Sequence, residues 1–87
     1  MNVDKNYVVK NILGNVVIIP IGQAYMDNKS IIHLDTEGTF FIKHIAAKKS
    51  EDEIIDLYSD LFSEDLETAK EKLDQFVQYG KDNGFIE

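Results

Sequence analysis

Apolar residues fall into short β-branched runs up to Leu34 and recur at helical spacing from residue 35 onward. Tyr7 to Ile12 is rich in β-branched residues, Gly14-Asn15 follows, and Val16-Val17-Ile18-Ile19 resumes the run. This pattern predicts a β-hairpin with a tight turn around Leu13 to Asn15. Pro20 and Gly22 end its second strand, because proline cannot donate to a ladder. Asp27-Asn28-Lys29 is a turn signal, and Ser30 to Leu34 reads as a short third strand.

Asp35 or Thr36 can accept the orphan N–H groups of a helix start. Behind them Phe40, Phe41, His44 and Ile45 recur at helical spacing. Ser50-Glu51-Asp52-Glu53 is a capping box. It opens a helix with Ile54, Ile55, Leu57, Tyr58, Leu61 and Phe62 on one stripe. Ser63 or Asp65 caps a last helix whose apolar positions are Leu66, Ala69, Leu73, Phe76 and Val77. Asn83-Gly84 ends it, since glycine is the usual residue of a left-handed C-terminal cap. Phe85 and Ile86 are then free to fold back onto the last turn. The predicted order is β-β-β-α-α-α: an α+β, winged helix-turn-helix-like architecture with one three-stranded antiparallel sheet and three helices.

At 87 residues the chain is predicted to form a single domain, 1–87, with little room for a deep cavity. It contains no cysteine, so disulfides, thiolate nucleophiles and zinc–cysteine sites are excluded. The longest apolar run, Val16 to Ile21, contains Pro20 and is far shorter than the roughly 20 residues of a membrane span. The expectation is a cytoplasmic protein with no membrane partner.

The net charge of −7 is unevenly placed. Residues 1–48 carry five Lys and four acids, residues 49–87 four Lys and twelve acids, and there is no Arg. Nucleic-acid binding rests on cations that neutralise phosphate, so an acidic, Arg-free C-terminal half argues against that partner. His33 and His44 fit no metal-binding spacing. The acid pairs Glu51/Asp52 and Glu64/Asp65 are explained by helix dipoles, and two serines by caps. No phosphate-cradling glycine motif is present. No catalytic residue, metal ligand or cofactor site is assigned, and the chain reads as a non-enzyme.

The binding features are more telling. If strands pair in order, the first or third is a sheet edge, with N–H and C=O groups open to another extended chain. Ile32 and Leu34 alternate with Ile31 and His33, so one pair faces the core. The last helix has a wide apolar arc, extended by Tyr79 and the stem of Lys72, and Gly80 within it lets another backbone approach. An unused edge and ordinary core packing are the plain alternatives for both features.

Several pieces resemble the PqqD-like family, typified by the pyrroloquinoline quinone biosynthesis protein D and also known as recognition elements for ribosomally made, post-translationally modified peptides. They are Tyr7-Val8-Val9-Lys10, the Gly14 turn into Val16–Ile19, Ile32-His33-Leu34-Asp35-Thr36-Glu37-Gly38, Ser50-Glu51-Asp52-Glu53-Ile54-Ile55, and Leu73 through Gly84-Phe85-Ile86. Together they span nearly the whole chain. Asp35 stands where the family usually has Asn, and Tyr79 where it has an aliphatic residue.

The resemblance implies that a precursor's leader segment adds as a strand beside the third strand and lies against the last helix. A partner maturase, usually a radical S-adenosylmethionine enzyme, then modifies the core peptide. The implied peptide-binding residues are Ile31, Ile32 and His33 on one wall and Leu73, Phe76, Val77 and Gly80 on the other. An open edge also leaves room for a homodimer through strand pairing. The rival reading, a winged-helix DNA-binding regulator, calls for a basic recognition helix. The second predicted helix, Ser50 to Phe62, has five acids and no Lys.

Overall fold

A computed structural model describes residues 1–87. Strands β1 (Tyr7–Ile12) and β2 (Asn15–Pro20) form the expected hairpin, with Ile12 opposite Asn15 and Tyr7 opposite Pro20. Leu13 and Gly14 both have positive φ, at 52° and 86°. This two-residue turn has the primed geometry that matches strand twist. Strand β3 (Ile32–His33) pairs antiparallel with β2, giving the sheet order β1-β2-β3. It is shorter than the expected Ser30–Leu34, although the Leu34 N–H still donates to the Val16 carbonyl at 3.2 Å.

An additional helix, α1 (Gly22–Met26), lies between β2 and β3 and revises the expected three-helix count. It has no side-chain cap and no acid in its first turn. Nothing local favours a helix there. Its one buried residue, Ala24, joins the core, so packing accounts for the turn better than propensity does.

The remaining helices begin where the capping residues require. In α2 (Thr36–Ala46) the Asp35 carboxylate accepts from the Gly38 N–H at 2.8 Å. In α3 (Glu51–Phe62) the capping box is complete: Ser50 Oγ accepts from the Glu53 N–H at 3.1 Å, and Glu53 accepts from the Ser50 N–H at 3.2 Å. In α4 (Leu66–Asp82) Asp65, not Ser63, is the N-cap and accepts from the Thr68 N–H at 2.7 Å. Each cap typically contributes about 1 kcal/mol. Ser63 instead ends α3 in the left-handed region.

The core is one cluster of fifteen buried residues, none of them charged. At its centre Phe41 of α2 stacks on Tyr58 of α3, centroids 5.1 Å apart and planes 8° from parallel. Burial pushes the Tyr58 phenol up to about 12, with Glu37 adding to the shift. α4 ends as the sequence predicts. Gly84 takes φ +87°, its N–H donates to Lys81, and the Phe85 N–H donates to Gly80. Phe85 and Ile86 then turn back into the core. There Ile86 bridges to Val3, and the Glu87 N–H donates to the Asn2 carbonyl at 2.9 Å. The two chain ends thus clasp one another across α4. No helix is long and apolar enough to cross a membrane.

Candidate functional site: the cleft between β3 and α4

β3 has β2 as its single partner strand, so its other side is a free edge. The register fixes which groups point outward. Leu34 donates to Val16, and Ile32 lies opposite Ile18. Antiparallel alternation therefore aims the peptide groups of Ile32 and Leu34 at β2 and those of Ile31 and His33 away from it. The side chains of Ile32 and Leu34 lean on the core, while Ile31 and His33 are exposed.

A cleft of about 310 Å³ runs between this edge and α4, lined by His33, Leu34, Asp35, Gly38, Phe76 and Tyr79. Its apolar wall is Phe76, half-buried against Phe41 and Phe85 with centroids at 5.4 and 6.0 Å, and Tyr79, which is 45% exposed. Gly38 opens the floor. A Cβ there would sit 3.3 Å from both Leu34 Cδ2 and Phe76 Cε1.

The cleft continues at one end, and a separate hollow lies beyond the other. Toward the start of α4 it meets a hollow bounded by Glu37, Phe41, Lys72 and Gln75, where Lys72 Nζ lies 3.9 Å from Glu37 Oε2. Exposed pairs of this kind contribute at most about 1 kcal/mol, so the bridge marks a boundary more than it secures one. Toward the end of α4 lies a more polar hollow with Tyr7, Lys29, Ser30, Ile32, Asp82 and Asn83. The cleft and the hollow toward the start of α4 share Asp35, Gly38 and Phe76, with the free strand edge along one rim.

The implied peptide-binding residues divide accordingly. His33 and Phe76 both line the cleft, and Ile32 borders the separate hollow near the end of α4. Ile31 stands exposed just before β3. Three of the implied residues lie outside this cleft. Leu73 is buried in the core at 1% exposure. Val77 borders a different hollow, with Met1, Lys49 and Lys81. Gly80 is buried beneath Ile86, whose side chain fills the space above it, so the backbone it admits is the chain's own tail.

Leu34, Asp35, Gly38 and Tyr79 belong to the cleft but are absent from the implied set. Tyr79 was within reach of the sequence: it lies three residues after Phe76, one helical turn along the same face. The two histidines stay apart in role. His44 packs on Phe40 at 4.5 Å, and burial, with Lys49 and Lys43 nearby, holds it below its usual value.

No family model matches this sequence, and no curated protein does. Among solved structures, the chain is similar to TbiB1 in complex with the TbiA(beta) leader peptide. The TM-score is 0.86 at 21% identity, over 100% of this chain and 95% of the other. At that identity the likeness establishes a shared fold.

Proposed function

We propose that this chain is a peptide-binding module: it takes the leader segment of a ribosomally made precursor as a strand added to β3 and presents it to a modifying enzyme. The observation that carries this reading is the outward edge of β3 facing Phe76 and Tyr79 across an open cleft. The leader peptide held by TbiB1 on the same fold supports it. So does the PqqD-like resemblance, from which the reading takes a radical S-adenosylmethionine enzyme as the partner class. In this reading the chain supplies binding and orientation, and the partner supplies the chemistry.

The energetics say what the leader must contain. Four to six strand hydrogen bonds net roughly 0.5–1.5 kcal/mol each. Ordering six residues costs about 1–2 kcal/mol apiece, which nearly cancels that gain. Micromolar affinity requires about −8 kcal/mol. Two to four apolar leader side chains, at roughly 1.5–3 kcal/mol each on burial, must supply it. The Phe76–Tyr79 wall is where they would be buried.

The test is a fluorescence-anisotropy titration with the leader segment of the precursor encoded with this gene. His33→Pro removes one outward N–H and fills its place with a ring, yet leaves the Ile32 and Leu34 bonds to β2 intact. Together with Tyr79→Ala it should weaken binding by at least about tenfold, the equivalent of roughly 1.4 kcal/mol. Native affinity in a folded double variant would show that the peptide lies elsewhere. The DNA-binding alternative predicts a gel shift at low salt, which the all-acidic charge of α3 opposes.

A further inference from the structure

The helix α3 carries a second unpartnered face, separate from the cleft. Leu57 and Leu61 lie four residues apart, one turn along the same side of the helix, and are 37% and 65% exposed. Neither borders the β3–α4 cleft or the hollows beside it. An amphipathic helix satisfied by its own core would place polar residues there.

The surroundings of these leucines specify what covers them. Glu53, Asp56 and Asp60 flank them on the helix, and Glu64 follows its end. None of Asp56, Asp60 and Glu64 lies in an ion pair; the three pairs in the protein are Lys70–Glu51, Lys70–Asp74 and Lys72–Glu37. α3 contains no Lys. Acids in its first turn complement the helix dipole, but Asp60 sits in the last turn, where a cation is favoured. The spacing Asp52, Asp56, Asp60 also sets like charges one turn apart, which weakens a helix. Local helix stability therefore gives no reason for Asp56 and Asp60, whereas a cationic partner does.

We propose that the Leu57/Leu61 face of α3 docks a basic protein surface, a shallow apolar patch ringed by Lys or Arg, on the modifying enzyme that receives the peptide. Identifying the partner as that enzyme rests on the peptide-presenting reading; the apolar, cation-seeking character of the face does not. Because the face and the cleft share no residue, peptide and enzyme can be held at once. The acidic rim raises the encounter rate and the leucines supply the desolvated centre of the contact.

The experiment uses the full chain and the purified modifying enzyme encoded with the precursor. It compares the native protein with Leu57→Ser/Leu61→Ser and with Asp56→Lys/Asp60→Lys. All three are checked for helicity by circular dichroism, and both partners are titrated by calorimetry. Each double variant should weaken enzyme binding by about tenfold or more, with leader affinity unchanged. Raising the salt from low to high concentration should weaken the native complex but not the Asp56→Lys/Asp60→Lys complex, whose repulsion from a basic surface the salt screens. Unchanged enzyme affinity in both folded variants overturns the proposal. So does a native homodimer that Leu57→Ser/Leu61→Ser dissolves while enzyme affinity stays the same, because the occupant is then a second copy. Loss of leader binding in His33→Pro tests the cleft alone, so failure of one reading is distinguishable from failure of the other.

Discussion

Adding one methyl group at Gly80 tests whether the chain's tail occupies α4 as described. A Cβ at this position would lie 2.5 Å from Ile86 Cδ1, 2.6 Å from Cγ1 and 3.0 Å from Cβ. The terminal methyl could rotate about χ2, and Cγ1 could leave only through a χ1 change in a packed site, while Cβ moves only with the backbone. That backbone is held by the Ile86 N–H on the Gly80 carbonyl at 3.2 Å, the bridge to Val3 and the Glu87 bond to Asn2. Helix propensity favours alanine over glycine by roughly 0.5–1 kcal/mol. Overpacking of a seated side chain costs about 1–3 kcal/mol. The alternative is to lift the tail, which exposes Phe85 and Ile86 at roughly 1.5–3 kcal/mol each. The clash wins, and Gly80→Ala should destabilise by about 1–2 kcal/mol. At about 4–8 °C per kcal/mol for a domain of this size, Tm should fall by roughly 5–15 °C in a thermal melt followed by circular dichroism. Ile86→Ala alone should cost about 2–5 kcal/mol through its cavity. The double variant should be at least about 1 kcal/mol more stable than additivity predicts, since the clash is gone. A Gly80→Ala protein as stable as the native one would refute the seating of Ile86. A Gly80→Ala variant that lost leader affinity while keeping native stability would return Gly80 to the guest.

Three further outcomes follow from the geometry. Leu13 is almost wholly exposed and held at φ 52°, so Leu13→Asn, which tolerates that region in a primed turn, should raise stability by roughly 0.5–1 kcal/mol in urea denaturation. Tyr58 is raised to about 12 by burial first and Glu37 second, so the stability it contributes is complete below pH 10 and is lost as pH rises from 10 to 12. Its loss should appear as cooperative unfolding accompanied by phenolate absorbance, and Tyr58→Phe should remove that part of the pH dependence. Gly38→Ala should cost about 1 kcal/mol or more and weaken leader binding several-fold by anisotropy in the folded variant, because the new methyl group would meet the capping Asp35 Oδ1 at 3.1 Å and Leu34 and Phe76 at 3.3 Å each.

What could be read from the sequence was what is decided locally. Asp35, Ser50 and Gly84 do their work through bonds to residues three or four positions away, and each lies where the pattern placed it. The turn at Leu13-Gly14 is equally local. α1 could not be read, because its one stabilising feature, Ala24 in the core, is a tertiary fact. α4 shows the same limit at the site. Helical periodicity correctly marked a wide apolar arc, but an arc has no label for what covers each part. Leu73 goes to the core, Gly80 to the tail, Val77 to a hollow beside Met1, and Phe76 with Tyr79 to the cleft. The expected fold-back of Phe85 and Ile86 already competed for Gly80, and the competition could be settled only by distance.

If the chain is the peptide-binding module proposed, the division bears on how it discriminates between peptides. One flank of the end of α4 is occupied from within: Val3 and Ile86 form a small strand pair, and Ile86 covers Gly80. The other flank meets a strand edge with no internal partner. Phe85 touches both sides, since it is buried behind Phe76 and Tyr79 at 6.0 and 5.8 Å while its carbonyl accepts from the Asp4 N–H at 2.8 Å. The wall that a guest side chain meets is therefore backed by the terminal clasp. Shortening the tail would loosen Phe76 and Tyr79 together, although no residue of the cleft is deleted. A chain lacking Phe85–Glu87 should accordingly lose leader affinity and leader selectivity in step with its loss of stability. A truncated protein that melts early yet still ranks leader variants in the native order, titrated well below its Tm, would show that the wall holds its shape without the clasp.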